Sequence, residues 1–172
     1  MTFAIVAVLV ALVLTPVLIG ALLPKRHRVA HSLRLDRPRE AVWARIVDIE
    51  GSAAWRSDLR AVEPARDEDG APLWIEVARD GGSTAYRTIE ERAPERLVRE
   101  IVPQGQPYGG RWIIELREQG SGTIVRVTEE GEVYNALFRF VGRLILGYAR
   151  TVERYLRALA ESFDEEPRIE SE

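Results

Sequence analysis

The 172-residue chain contains no cysteine, which excludes disulfides, thiolate metal sites and cysteine nucleophiles. Histidine is scarce: His27 and His31 are the only two. Zinc sites and Ser-His-Asp chemistry therefore start with few parts. Lysine is nearly absent too, since Lys25 stands alone and every other basic residue is arginine. The formal net charge is -3, so the basic face that nucleic acid requires is not expected. No Gly-rich phosphate loop and no carboxylate-rich metal motif stands out. Accordingly no metal and no cofactor is expected, and no catalytic residue is assigned.

One further absence points to a place in the cell. No charged side chain occurs from Thr2 to Leu23, and Lys25-Arg26-His27-Arg28 follow at once. An apolar run of about 22 residues, rising about 1.5 Å each, makes a helix of about 33 Å, enough for a hydrocarbon core of about 30 Å. Pro16 interrupts the run, and membrane helices tolerate such a proline better than soluble ones. A secretory signal would carry its positive charge before the run and a small-x-small site after it. Here the charge comes after, and Gly20-Ala21-Leu22-Leu23 makes a poor cleavage site. The expectation is one retained transmembrane helix over 1–24 and a basic juxtamembrane tether over 25–28. The positive-inside rule places Lys25, Arg26 and Arg28 in the cytoplasm, making this a single-pass protein of the cell (inner) membrane with its folded part inside.

About 148 residues remain, enough for one domain with a substantial core. Val29, His31, Leu33 and Leu35 alternate as one face of a strand. Asp36 to Glu40 reads as a helix start with Pro38 in the first turn, and Ala41, Val42, Trp43, Ile46 and Val47 form its apolar stripe. A second short helix or turn is expected over Gly51 to Asp58. Six strands follow, near Leu59–Pro64, Leu73–Arg79, Ser83–Arg92, Arg96–Val102, Arg111–Glu118 and Thr123–Val133. The turn signals between them argue for an antiparallel meander. From Asn135 to Phe163 apolar residues recur in steps of three and four, the mark of one long amphipathic helix. The acidic stretch 164–172 lacks such a pattern and is expected to be disordered. The fold class is α+β: a curved antiparallel sheet wrapped around a long C-terminal helix, with the folded domain at 29–163.

Several segments resemble the START/birch-pollen-allergen-like (SRPBCC) superfamily, and within it the polyketide cyclase/dehydrase family. They are Pro38-Arg39-Glu40-Ala41-Val42-Trp43, Trp55-Arg56-Ser57-Asp58-Leu59, Gly110 to Leu116 and Gly122 to Thr128. The resemblance covers roughly residues 29 to 163 and leaves the anchor outside. It implies a helix-grip fold with a cavity between sheet and C-terminal helix, holding lipids, sterols, polyketides or other apolar molecules. Cyclases of this superfamily use paired polar pocket residues, and no compact His-Asp or Arg-His signature of that sort is present.

Alternation and helical spacing then nominate pocket residues. Trp112, Ile114 and Leu116 share a strand face, Val125 and Val127 go with Glu129, and Tyr86 goes with Thr84 and Thr88. Leu137, Val141, Leu144, Ile145 and Tyr148 would face them from the helix. His31, Tyr86, Glu129 and Tyr148 are the polar anchors of this expected pocket. Trp43 and Trp55 are expected to stack the short helices on the sheet. The segment Pro103 to Gly110, rich in Gly and Pro, is either a gate over the pocket or a plain hairpin connection.

The expected function is membrane-anchored binding of a hydrophobic small molecule or lipid. One alternative is a cyclase or dehydratase acting on a bulky apolar substrate, which needs a positioned acid or base in the cavity. Another is a protein-interaction module with a vestigial pocket, whose partner the sequence does not name.

Overall fold

The computed structural model describes residue 12 and residues 14–172. Residues 14–22 are helical (α1). Of the span expected to cross the membrane, residues 1–11 and 13 lie outside the described residues. Among the described residues no helix is long and apolar enough to cross a membrane.

The chain then builds an eight-stranded antiparallel sheet around an amphipathic helix. β1 (Arg26–Leu35) leads into α2 (Arg39–Val47) and a 3-10 turn (Glu50–Ala54). The meander follows: β2 (Leu59–Arg66), β3 (Pro72–Ala78), β4 (Ser83–Arg92), β5 (Arg96–Ile101), β6 (Tyr108–Gln119) and β7 (Gly122–Val133). After β7 come α3 (Ala136–Val141), a π-helical turn (Gly142–Leu146), α4 (Ala149–Glu161) and β8 (Arg168–Ser171). The order across the sheet is β2-β3-β4-β5-β6-β7-β1-β8. Consecutive strands pair through tight turns, and β1 closes onto β7 with Leu33 opposite Val125 and Leu35 opposite Thr123.

Alternation explains the core. Leu33, Leu35, Leu97, Ile114, Leu116, Val125 and Val127 point to one face and are closed to solvent. Val152, Tyr155, Leu156 and Leu159 of α4 meet them at helical spacing. Val42, Trp43 and Ile46 of α2 cover the same end. Each fully buried Leu or Val adds about 1.5–3 kcal/mol over its exposed state.

Three segments differ from expectation. Arg26 to Arg28, expected in a tether, extend β1, because β7 runs on to Val133 and offers them a partner: Arg26 lies opposite Glu132 and bonds its carboxylate at 2.7 Å. In the tail expected to be disordered, Arg168–Ser171 pair with β1 as β8. There Ile169 packs on the core, and the Glu172 carboxylate accepts bonds from Ser32 and Arg126. Composition alone read that stretch as solvated charge. The single long helix is broken: α3 stops, five residues form the π turn, and Gly147 at φ 75° re-aims the chain into α4. A left-handed residue cannot continue a right-handed helix, so the phase of the apolar stripe is lost there.

Candidate functional site

The sheet's two faces carry different chemistry. Beyond Val127 toward the end of β7, the inner positions change from aliphatic to polar. Glu129 lies opposite both Val29 of β1 and Trp112 of β6. Arg99 lies opposite Trp112, and on β3 and β4 Glu76 lies opposite Thr84. These residues and Tyr86 share the face that α4 covers, since strand side chains alternate. Between them and α4 lies a cavity of about 340 Å³. Its walls include Arg56, Asp58, Glu76, Thr84, Tyr86, Tyr108, Trp112, Glu129, Thr151 and Arg154.

Two polar constellations stiffen this cavity. Glu129 accepts the indole N–H of Trp112 at 3.0 Å, and its other oxygen lies 2.9 Å from Nε2 of His27. The His27 ring stacks on Tyr148, with centroids 3.7 Å apart and planes 11° apart. Across the cavity the Arg56 guanidinium donates to Glu76 at 2.6 Å and to Asp58 at 3.0 Å. Burial pulls the Arg56 pKa down, but the Glu76 charge and the hydrogen bonds outweigh it, and the net shift is upward. Burial pushes the Asp58 carboxyl up, the bond and charge of Arg56 oppose it, and the carboxyl ends below its usual range. The Tyr86 hydroxyl is pushed up, first by burial and then by the Glu76 charge, so it remains a donor at neutral pH. Behind the cavity, Tyr155 stands edge-on to Trp112 and Trp55, and Arg56 lies over its ring at 5.6 Å.

A larger hollow, about 750 Å³, adjoins this cavity, shares Ile101, Tyr108, Gly109, Gly110, Arg111 and Gly131 with it, and has His27 in its lining. Arg26, Arg28, Arg87, Glu100, Arg111, Glu130 and Glu132 line it beside Tyr134. Its charges are largely matched, with Arg26–Glu132 and Arg111–Glu130 at 2.7 Å and Arg87–Glu100 at 3.0 Å. Charged side chains dominate its lining, whereas the smaller cavity has Thr151 and Arg154 of α4 in its wall. Pro103 and Gln106 border the larger hollow alone, while Gly109 and Gly110 are among the residues that reach both.

The expected site residues fall in several different places. Tyr86, Trp112 and Glu129 line the inner cavity, while Tyr148 is outside its lining and stacks on His27, which lines the larger hollow. Ile114, Leu116, Val125 and Val127 belong to the closed core. His31 is buried beneath α4, 3.8 Å from Glu153. Val141 is half-buried on α3, and Leu144 and Ile145 point to solvent at 57% and 65% exposure, because the helix break turned them away from the sheet. His27, Arg56, Asp58, Glu76 and Tyr108 were missed. Extending the β1 alternation back past Val29 would have put His27 on the inner face. Glu76, two positions from Trp74, was the visible sign of a carboxylate facing inward.

Comparison with known proteins fits this geometry. The family described as polyketide cyclase / dehydrase and lipid transport matches residues 26–165. No curated protein sequence matches the chain. Among solved structures, a START superfamily protein from Mycobacterium smegmatis is similar at 16% identity and a TM-score of 0.62, covering 80% of this chain and 97% of that one. A conserved protein from Geobacillus kaustophilus is similar at 14% identity and 0.66, covering 83% and 99%. Truncated norcoclaurine synthase from Thalictrum flavum is similar at 11% identity and 0.62, covering 80% and 93%. At such identities the likeness establishes the fold.

Proposed function

The chain belongs to the polyketide cyclase / dehydrase and lipid transport family, and from that premise we propose that it binds a small molecule with an apolar body and a polar end in the inner cavity, held at a membrane by its N-terminal segment. The carrying observation is the wall of that cavity. The rings of Tyr86, Tyr108 and Trp112 stand beside polar groups fixed by partners, Glu129 by Trp112 and His27, and Arg56 by Glu76 and Asp58. Apolar surface supplies affinity in such a site, and a few fixed polar groups supply orientation. Size narrows the ligand: 340 Å³ is near the lower end of the roughly 300–1,000 Å³ of small-molecule sites. A compact ring system fits that volume better than a two-chain lipid.

Anchoring is supported by the uncharged run Thr2–Leu23 and by the exposure of Leu14, Leu18 and Leu22 on α1. Lys25, Arg26 and Arg28 after the run favour a domain on the cytoplasmic side of the inner membrane. A tether of this kind raises the local concentration of the cavity near a bilayer, where apolar molecules partition.

One observation favours a second reading, a cyclase-type enzyme. Glu129 and His27 share a hydrogen bond at the cavity wall, and such a pair can take and return a proton. Native mass spectrometry of the full chain released from micelles tests both readings. A bound small molecule is expected on the parent protein and lost in Thr84→Trp, which fills the cavity. Equal adducts on both proteins would sink the binding reading. If Glu129→Gln keeps the adduct but stops its conversion, the enzyme reading holds.

A further inference from the structure

The break between α3 and α4 leaves a surface that neither the core nor the cavity uses. Leu137, Phe138, Leu144, Ile145 and Leu146 are all exposed there, Ile145 at 65%. A folded domain rarely displays that many large apolar side chains together without a partner. The patch also sits against the end of α1. A Cβ on Gly20 would collide with the carbonyl of Ala136 and lie 3.3 Å from Cβ of Phe140, so the two backbones touch. The Arg139 guanidinium, 5% exposed, locks the junction. It donates to the Gly20 carbonyl at 2.8 Å and to the carbonyls of Val133 and Tyr134 at 3.0 and 2.9 Å. A cation at the C-terminal end of α1 also complements the helix dipole. In addition, the Val133 N–H donates to the Lys25 carbonyl at 2.9 Å.

We propose that the α3–π-turn segment is a second membrane-contacting element, inserted into the same side of the bilayer from which α1 emerges. The proposal rests on the anchoring reading, because α1 brings the patch to the lipid. The occupant is a phospholipid bilayer for two reasons. The patch continues, through the Gly20–Ala136 contact, the exposed apolar surface of Leu14, Leu18 and Leu22. Arg143 belongs to the π turn itself, and Lys25 follows α1 with its carbonyl bonded to Val133 just before α3, so basic charge is available for anionic headgroups while the apolar side chains enter the acyl boundary. Two residues after the segment, the Tyr148 ring stacks on His27 beside Glu129. Seating the patch in lipid would therefore bring the His27–Glu129 pair near the bilayer surface.

Because the chain has no native cysteine, single-cysteine variants of the full protein carry one label each. Leu18→Cys, Ile145→Cys and Asp69→Cys are labelled with an environment-sensitive nitrobenzoxadiazole dye. They are reconstituted in phosphatidylcholine vesicles containing phosphatidylglycerol, with or without spin-labelled phosphatidylcholine. Unchanged thermal transitions identify the variants that keep the fold. Severalfold quenching by the spin-labelled lipid is expected at Leu18→Cys and Ile145→Cys, and none at Asp69→Cys. Quenching at Leu18→Cys with a water-like, unquenched Ile145→Cys would overturn the patch and leave the anchor standing. A blue-shifted but unquenched Ile145→Cys would overturn it in favour of a protein cover, such as a second copy of this chain. No quenching at either position would overturn anchor and patch together.

Discussion

The two ends of the grip are built from the same strands by the same alternation, yet one end is closed and the other hollow. At the closed end Leu33, Leu35, Ile114, Leu116, Val125 and Val127 interlock with Leu156 and Leu159. At the open end the same faces of β1, β6 and β7 carry His27, Trp112 and Glu129. Aliphatic side chains fill space in any direction, so they pack to the density of an interior. Polar side chains must aim at partners, and the ring of Trp112 and the carboxylate of Glu129 are held upright by their mutual hydrogen bond. Space remains above them. The cavity is thus where directional bonding replaced filling.

Core truncation should separate the ends most sharply. Leu156→Ala, at the closed end, should lower stability by about 2–5 kcal/mol in denaturant titration while leaving small-molecule adducts in place. Loss of the adduct at unchanged stability would mean that Leu156 faces the cavity. Next comes Val127→Trp, at the boundary. Because Val127 is fully enclosed, the added volume should overpack the core, cost about 1–3 kcal/mol and leave cavity binding intact. A stable variant that no longer binds would move the boundary of the cavity down to Val127.

Glu129→Gln should cost less stability, on the order of 1 kcal/mol, since it keeps the shape: the amide oxygen can accept from Trp112, and the amide NH2 requires His27 Nε2 to become the acceptor. Its larger effect is expected in the mass of bound ligand. Equal ligand occupancy with equal conversion in parent and variant would remove Glu129 from the site.

The smallest effects should appear as pH dependence, confined to the open end. The Tyr86 pKa is raised in the folded state, so its contribution to stability is complete below its unfolded value of about 10 and is lost as the pH climbs toward the folded value. Tyr86→Phe should flatten the urea midpoint between about pH 8 and 11, although buried Tyr155, raised in the same direction, keeps part of the slope. Asp58 has the opposite sign. Its folded pKa is lowered, so its contribution is present above the usual carboxylate range and fades as the pH falls through the folded value. Asp58→Asn should reduce the acid-side slope. If neither slope changes, titration at the open end is not coupled to folding.

How far the sequence reached differs by element. Ser83–Arg92 is the fourth strand in the structure with the same limits as in the sequence reading, and the stripe Val152, Leu156, Leu159 of α4 faces the core as its spacing required. Both are local regularities, carried by period two and period 3.6. Leu144 and Ile145 failed because one left-handed glycine resets the phase of a helix. His27 was hidden in a basic cluster that read as a membrane flank, and only its pairing opposite Gly131 brings it within hydrogen-bond reach of Glu129.

The sequence by itself determined the α+β class, the order of the elements from β1 to β7 and which face of each of those strands is apolar, because these follow from side-chain periodicity along the chain. It also resembled the family that residues 26–165 match. Tertiary structure alone decided which inward residues close into a core and which border a cavity. It decided the meeting of Glu129 with His27 and Trp112, the pairing of Arg56 with Glu76, and the bond from Arg139 to Gly20. Those contacts join residues distant in the chain. Their geometry depends on sheet register and helix placement, which no local pattern of residues encodes.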